Sequence, residues 1–528
     1  MRHFYRWFTA IILFTTTLTL FGGTSLAADD DNVFRVGMEA GYPPFNWTQQ
    51  DDSNGAVPIE GSKEFAGGYD VEMAKKIAEG LGKELVIVKT SWDGLPPALT
   101  SGKIDAIIAG MSPTEERRKA IDFTEAYHDA SLVIMVKKGS PYEHATSLKD
   151  FAGAKLTAQM GTLHYDAIDQ IEGVQKELAM GDFPEMRVAL DSGIIDGYVS
   201  ESVEGKTAKK VNPNFVAVEF TKENGFQQSE ADSTAAIGLR KGSELREDIN
   251  KILADIPVSE RESIMNKAID QQPDTSNDLS WFGWVMKIAK ENWPMFLRGA
   301  GMTLFISILG TIIGTAIGMG IGIFRAIPTP KKAGKNFFYK LLNGLFSIYI
   351  EIFRGTPMIV QSMVIYYGLA QAFGINMNRT LAAVLIVSIN TGAYMTEIVR
   401  GGIFSVDKGQ FEAAQAIGMT HFQTMRHVVI PQVIRNILPA TGNEFVINIK
   451  DTSVLNVIAV SELFFSAKTV AGANFRFFET FFIICVIYFV MTFLVTQILR
   501  YIERRMDQPK KYYAPYANQM QVQKIEQE

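Results

Sequence analysis

Cysteine is nearly missing from this chain of 528 residues. The single Cys485 lies inside an apolar run, which excludes a disulfide framework and a cysteine-based metal site. The six His residues show no HExxH or comparable ligand spacing, and no metal is expected. The pattern G-x-x-x-x-G-K-[ST] does not occur, so the chain has no phosphate loop with which to hydrolyse ATP by itself. Charge of one sign is also scarce: a formal net charge of −6 is mild and gives no hint of nucleic acid. Apolar residues are abundant, but unevenly placed. Acidic residues crowd the stretch before Ser280, and hydrophobic runs dominate the remainder. At this length two or more domains are expected.

Arg2 and Arg6, an apolar stretch from Phe8 to Phe21 and then Ser25-Leu26-Ala27 have the order of a secretory signal. Residues 1–27 are expected to be a signal peptide cleaved after Ala27 or Ala28, with an uncleaved anchor as the alternative. No cysteine stands at the processing site, which excludes a lipid anchor there. Residues 29–272 read as a soluble α/β domain. Short β-like runs such as Phe34-Arg35-Val36-Gly37 and Leu132-Val133-Ile134-Met135-Val136 alternate with helical stretches such as 69–81. Such alternation argues for open, mostly parallel sheets with ligands in crevices at the carboxyl ends of strands.

Residues 273–298 read as a polar linker and an interfacial amphipathic helix, with Trp281, Trp284 and Trp293 suited to a membrane surface. Residues 299–506 read as an all-α membrane domain of five spans, at about 303–324, 341–373, 380–403, 434–464 and 481–499. Residues 507–528 form a tail. Arg325, Lys331, Lys332, Lys335 and Lys340 follow the first span; Lys408 and Arg426 follow the third; Arg500, Arg504, Arg505, Lys510 and Lys511 follow the fifth. The connections after the second and fourth spans carry only Arg379, and Lys468 with Arg476. The positive-inside rule then puts the α/β domain outside and the C-terminus in the cytoplasm of a bacterial membrane protein surrounded by lipid. Gly310, Gly314, Gly318 and Gly322 form a stripe on the first span that reads as helix packing.

Between the third and fourth spans stand Glu412, Ala413, Ala414, Gly418, Ile430 and Pro431. This stretch, 412–431, resembles the EAA loop of ABC-importer permeases, through which a membrane subunit is driven by a separate ATPase. The resemblance implies a chain that is not itself an enzyme, a homodimer working with two copies of an ABC ATP-binding subunit. ATP and Mg would be bound on that partner and no cofactor on this chain. By itself the stretch could be an ordinary amphipathic surface helix.

The first half resembles polar-amino-acid binding proteins through several motifs in succession: Gly37-Met38-Glu39-Ala40-Gly41-Tyr42-Pro43-Pro44-Phe45, Gly68-Tyr69-Asp70-Val71, Trp92-Asp93-Gly94-Leu95 and Ala109-Gly110-Met111-Ser112-Pro113-Thr114-Glu115-Glu116-Arg117. The fold implied is a two-lobed periplasmic-binding-protein-like domain of type II, holding a free L-amino acid. A buried amino acid needs a partner for each charged group. Arg117 can form a bidentate pair with the carboxylate, helped by N–H groups near Ser112 and by Gln159, Gly161, Thr162 and the backbone of Leu163 ahead of an expected helix. Glu201, where the family usually has Asp, is the counter-charge for the ammonium, with the Gly110 carbonyl and Ser112 hydroxyl as acceptors. Tyr42 and Trp92 can sandwich the side chain, and Glu39 meets its distal end, which favours lysine or arginine, with glutamine second. Taken alone, Arg117 lies in a charged run that reads as a solvated face, and Tyr42 and Trp92 read as core.

The second-span motif with Glu351 and Arg354, and Asn443-Glu444-Phe445 with Lys450 in the fourth span, resemble the permease family as well. Glu444 is the candidate pathway contact, with a structural role near helix ends as the alternative. The lobes are expected to close about hinges near 131–136 and 227–234. An amino-acid-gated channel would split the binding domain around its pore, and a sensor would need an output domain after the membrane part; neither is the expected reading.

Overall fold

A computed structural model describes residues 32–507, apart from 130, 228–233, 272–278, 330–332 and 475. The signal-peptide stretch, linker residues 273–278, Lys331, Lys332 and tail residues 508–528 lie outside the described residues.

The alternation of apolar runs and helices in the first half folds into two five-stranded sheets, beside a smaller four-stranded antiparallel sheet of Gly41–Tyr42, Asn46–Gln49, Phe65–Gly67 and Val57–Pro58. The strands of the two large sheets are Val33–Met38 (β1), Glu84–Lys89 (β2), Ala106–Ile107 (β3), Asp122–Asp129 (β4), Leu132–Lys137 (β5), Lys155–Thr157 (β6), Gln175–Lys176 (β7), Gly197–Glu201 (β8), Phe215–Val218 (β9) and Thr234–Leu239 (β10). One sheet has the order β2-β1-β3-β10-β4 and the other β7-β6-β8-β5-β9. In each, three strands are parallel, and one antiparallel strand enters from the other lobe: β10 beside β3 in the first sheet, β5 beside β8 in the second. Strands such as β5 carry five successive buried residues, the pattern of a sheet covered on both faces. Tyr69–Gly80 (α1) buries Tyr69, Val71, Met73, Ala74, Ile77 and Ala78, an apolar face at helical spacing. In the second lobe Ile134, Val136, Phe151, Leu156, Ile168 and Val199 share one core.

The chain leaves the first lobe after Asp129 and is in β5 of the second by Leu132. The first expected hinge is therefore narrower than 131–136, because Leu132 onward is already locked in a sheet. The second crossing runs between β9 and β10; of the hinge expected there at 227–234, residues 228–233 lie outside the described residues.

Four helices of the lobes border the interlobe cleft or support its walls: Glu115–Ala120 (α2), Leu163–Ala167 (α3), Phe183–Ser192 (α4) and Ser202–Val211 (α5). The helical half opens with Trp281–Arg325 (α6). The interfacial helix and first span, expected to be separate, are one continuous helix of 45 residues despite Pro294. At 1.5 Å per residue that is about 68 Å, far more than the ~30 Å of a hydrocarbon core. The next segment is interrupted. Ala333–Gly355 (α7) stops before Thr356-Pro357, and Met358–Met363 (α8) leads into a π-helical turn, Val364–Gly368. Proline lacks the N–H needed to continue the helix, which accounts for the break. There follow Arg379–Phe404 (α9), Lys408–Ala416 (α10), Ile430–Asp451 (α11), Leu463–Asn474 (α12) and Phe477–Asp507 (α13). Among the described residues three helices are long and apolar enough to cross a membrane, α6, α9 and α13, or four if the pair bent by 54° across α11 and α12 counts as one.

Two compact units divide the chain. One holds both lobes together with Gly355–Val387 and Asp451–Ile487; the other comprises Ile308–Arg354, Ser388–Lys450 and the C-terminal helix from Tyr488. In the second unit a Cβ built on Gly314 would stand 2.6 Å from Thr391 Cβ, one on Gly318 would collide with Met395, and one on Gly322 would stand 2.8 Å from Val399 Cγ1. The glycine stripe of α6 thus faces a stripe on α9 with the same four-residue repeat, as close helix approach requires.

Candidate functional site

The expected binding residues gather where the parallel strands end. Glu39 follows β1, Trp92 follows β2, Gly110 and Ser112 follow β3, Gln159 and Gly161 follow β6, and Glu201 is the last residue of β8. Strand ends are where backbone groups lose their sheet partners, so the fold itself presents polar groups there.

Arg117 lies in α2, where its own backbone N–H donates to the hydroxyl of the N-cap residue Thr114 at 3.3 Å. Its guanidinium donates from Nη1 to the Ser112 carbonyl and from Nη2 to the Gly161 carbonyl, both at 2.9 Å, and its Cζ lies 5.2 Å from the Trp92 ring centre. Trp92 Nε1 is also 3.5 Å from the Gly161 carbonyl. Since Arg117 and Trp92 belong to the first lobe and Gly161 to the second, these contacts bridge the cleft.

The aromatic sandwich expected of Tyr42 and Trp92 is arranged otherwise. Tyr42 stacks on Phe45 at 5.0 Å and on Phe183 of the second lobe at 4.4 Å between ring centres. Its hydroxyl donates to Glu201 Oε2 at 3.2 Å. Glu201 is fully buried, and His164 Nε2 stands 3.6 Å from its other oxygen. Burial first, then the charge of Glu201, push the Tyr42 hydroxyl well above its usual range, so it serves as a donor.

Gly110 has a left-handed backbone, φ 62°, which an added side chain would strain, and a Cβ there would press on Tyr42 Cε1 at 3.3 Å. Its N–H donates to the Tyr127 hydroxyl at 2.9 Å, which in turn donates to buried Asp70 at 2.7 Å; Asn46 donates to the other Asp70 oxygen at 2.7 Å. This chain of bonds holds the Gly110 turn in place from beneath. Thr162 donates to the Gln159 carbonyl at 2.6 Å, and Gln159 Nε2 donates to the Gly181 carbonyl at 3.2 Å. Leu163 starts α3, which has only five residues, so the helix-end field expected there is that of about a single turn.

Glu39 is partly exposed. Burial first, then the neighbouring charge of Asp182, raise its carboxyl from 4.5 to about 7, while a hydrogen bond from Gln159 works the other way. Sequence reasoning missed Asp182 and Phe183. Their signal was an N-cap: Asp182 accepts from the Glu185 N–H at 3.0 Å, and Pro184 follows in the first turn of α4.

In the other unit, Asp407 caps α10 by accepting from the Gly409 N–H at 2.6 Å. Glu412 and Ala413 face outward, whereas Ala414 is buried. Gly418 ends the helix with φ 80°, a left-handed turn after which Thr420 and Gln423 form a reciprocal cap for the next turn. Phe411, Met425 and Val429 pack on Met395, Val399 and Ile403 of α9, seating the loop on the bundle. Ile417 and Phe422 are exposed apolar side chains beside it, and Pro431 is exposed. Glu444 is half-buried in α11, Glu351 is exposed, and Arg354 lies over the Tyr394 ring at 5.5 Å. Glu397 of α9 pairs with Arg325 at 3.0 Å and with Arg400 at 2.6 Å.

Residues 34–271 match the bacterial extracellular solute-binding proteins, family 3, and residues 318–508 match the binding-protein-dependent transport system inner membrane component. The chain is similar to the glutamine transport system permease protein of Escherichia coli (strain K12), 39% identical over 214 residues, which are 40% of this chain and 93% of that protein. It is similar to the L-cystine transport system permease protein of Bacillus subtilis (strain 168), 36% identical over 216 residues, 41% of this chain and 88% of the relative. A solved amino acid ABC transporter substrate-binding protein from Streptococcus pneumoniae bound to L-arginine is 25% identical, covering 46% of this chain and 97% of its own, with a TM-score of 0.40.

Proposed function

The chain belongs to the binding-protein-dependent membrane components of amino-acid ABC importers and carries its own family 3 solute-binding domain, and on that premise we propose that it captures lysine or arginine outside the cell and passes it through its own membrane part. The substrate class is supported by the charge of the cleft, where Glu39 and Asp182 come from opposite lobes: burial first and then the charge of Asp182 raise the Glu39 carboxyl to about 7, against the opposing charge of Lys468. An ammonium or guanidinium between the two carboxylates offsets their repulsion. Arg117 supplies the carboxylate clamp and Glu201 the counter-charge for the ammonium.

Glutamine is the second reading. Its amide can donate to Glu39, and the relative in Escherichia coli is a glutamine permease. Drive comes from two copies of a separate ATP-binding subunit acting on a homodimer through residues 412–431. The basic residues Lys408, Arg426, Arg500, Arg504 and Arg505 support an inside position for that loop and for the C-terminal end of a five-span bundle. Titrating the full-length chain in nanodiscs with each of the twenty L-amino acids by calorimetry tests the reading. Tightest binding of lysine or arginine is expected; tightest binding of an acidic or aliphatic amino acid would exclude it.

A further inference from the structure

Helix α12 lies against both lobes within about two turns. Phe465 receives the Lys89 ammonium at 4.9 Å from its ring centre, and the Thr469 hydroxyl accepts from Lys89 Nζ at 2.6 Å. A Cβ added to Gly472 would stand 3.8 Å from the Cα of Gly41, next to the site residue Tyr42. These three contacts all reach the first lobe. Lys468, on the same turn, reaches the second: its Nζ pairs with Asp182 Oδ2 at 3.0 Å. Asp182 is nearly buried, and its other oxygen is fixed by the α4 cap.

The Lys468 charge also favours the ionised forms of Glu39 and Asp93, so its ammonium stands in the field of carboxylates from both sides of the cleft. A flexible, positively charged side chain at this place has the chemistry of the distal end of lysine. Resting on the basic-substrate reading, we propose that Lys468 and the cationic end of the bound amino acid compete for the Glu39–Asp182 carboxylate pair. Seating α12 on the cleft therefore weakens the hold on a basic substrate and favours its release toward the membrane part. Asp182 becomes a specificity residue, and Lys468 a tethered competitor carried by the helical half of the same chain.

Calorimetry on full-length chain in nanodiscs tests this with L-arginine and L-glutamine as probes. K468Q removes the competing charge, so arginine should bind about threefold to tenfold tighter, as expected for a partly exposed ion pair, while glutamine changes less than about twofold. K468R keeps the charge and should match the wild type, and K468M repeats the K468Q result with a different side chain. Unchanged arginine affinity in both K468Q and K468M, or equal tightening for both amino acids, overturns the competition alone. A wild-type chain that binds glutamine without arginine removes the cationic subsite and the competition with it. A wild type that binds neither defeats the proposed function itself.

Discussion

Arg117 of the first lobe and Gly161 of the second are joined across the cleft by a hydrogen bond of 2.9 Å from Nη2 to the carbonyl oxygen. A guanidinium that spans the cleft to a neutral carbonyl can exchange that acceptor for a carboxylate, which makes shorter and stronger bonds in a planar fork. On the proposed function the same side chain would both report closure and hold the ligand.

Arg117→Ala should abolish measurable amino-acid binding. Losing a buried charge-assisted pair costs about 2–5 kcal/mol, or roughly thirtyfold to several-thousandfold in Kd. Calorimetry on the full-length chain checks it, and near-normal affinity would show that the carboxylate is held elsewhere.

Glu39→Gln should weaken lysine and arginine more than glutamine. A pH dependence goes with it. The Glu39 carboxyl titrates at about 7, above its ordinary value of 4.5, so it becomes ionised only as pH rises through neutrality. A cation pairs with the ionised form, so arginine affinity should climb about threefold to tenfold between about pH 6 and 8. The slope should vanish in Glu39→Gln. In the empty protein the sign is opposite: a raised carboxyl favours the protonated fold, so this group's contribution to stability is lost as pH rises from 4.5 through about 7.

Gly418→Val should uncouple ATP hydrolysis from uptake while leaving ligand affinity alone. No atom lies within 4 Å of a Cβ built there, so the effect is one of backbone strain at φ 80°, not of collision. Forcing a β-branched residue into that region costs about 1–3 kcal/mol and would re-aim the exposed Ile417 and Phe422. Parallel assays of ATPase rate and uptake in proteoliposomes distinguish this from a loss of binding; normal coupling would count against the loop's role.

Gly318→Leu should lower the thermal stability of the helical unit. The new side chain meets Met395 and, at 2.8 Å, the Thr396 backbone nitrogen, where backbone cannot step aside. Overpacking of this kind costs about 1–3 kcal/mol. Gly320→Leu is the control, since nothing lies within 4 Å of its Cβ. Equal melting temperatures for both variants would remove the packing role of the stripe.

Apolar alternation along the chain was enough to read open α/β sheets with a strand-end crevice, whereas the two-lobed arrangement and the loop at 412–431 were legible only as what the resemblance of the motifs to known families implies. Charge-free runs likewise marked α6 and α13. Local pattern could not tell that Trp281 and Phe324 share one helix, since the proline between them is compatible with either a stop or a continuation. Nor could it reveal that Tyr42 stacks on Phe183, that the charge of Asp182 acts on Glu39, or that Lys468 reaches Asp182 from a segment far along the chain. Those pairings depend on how distant elements pack, and side-chain chemistry along the chain carries no record of which carboxylates will be crowded together out of water. Residue order specified which side chains could bind an amino acid; only the packing of remote segments set which charges must share the cleft.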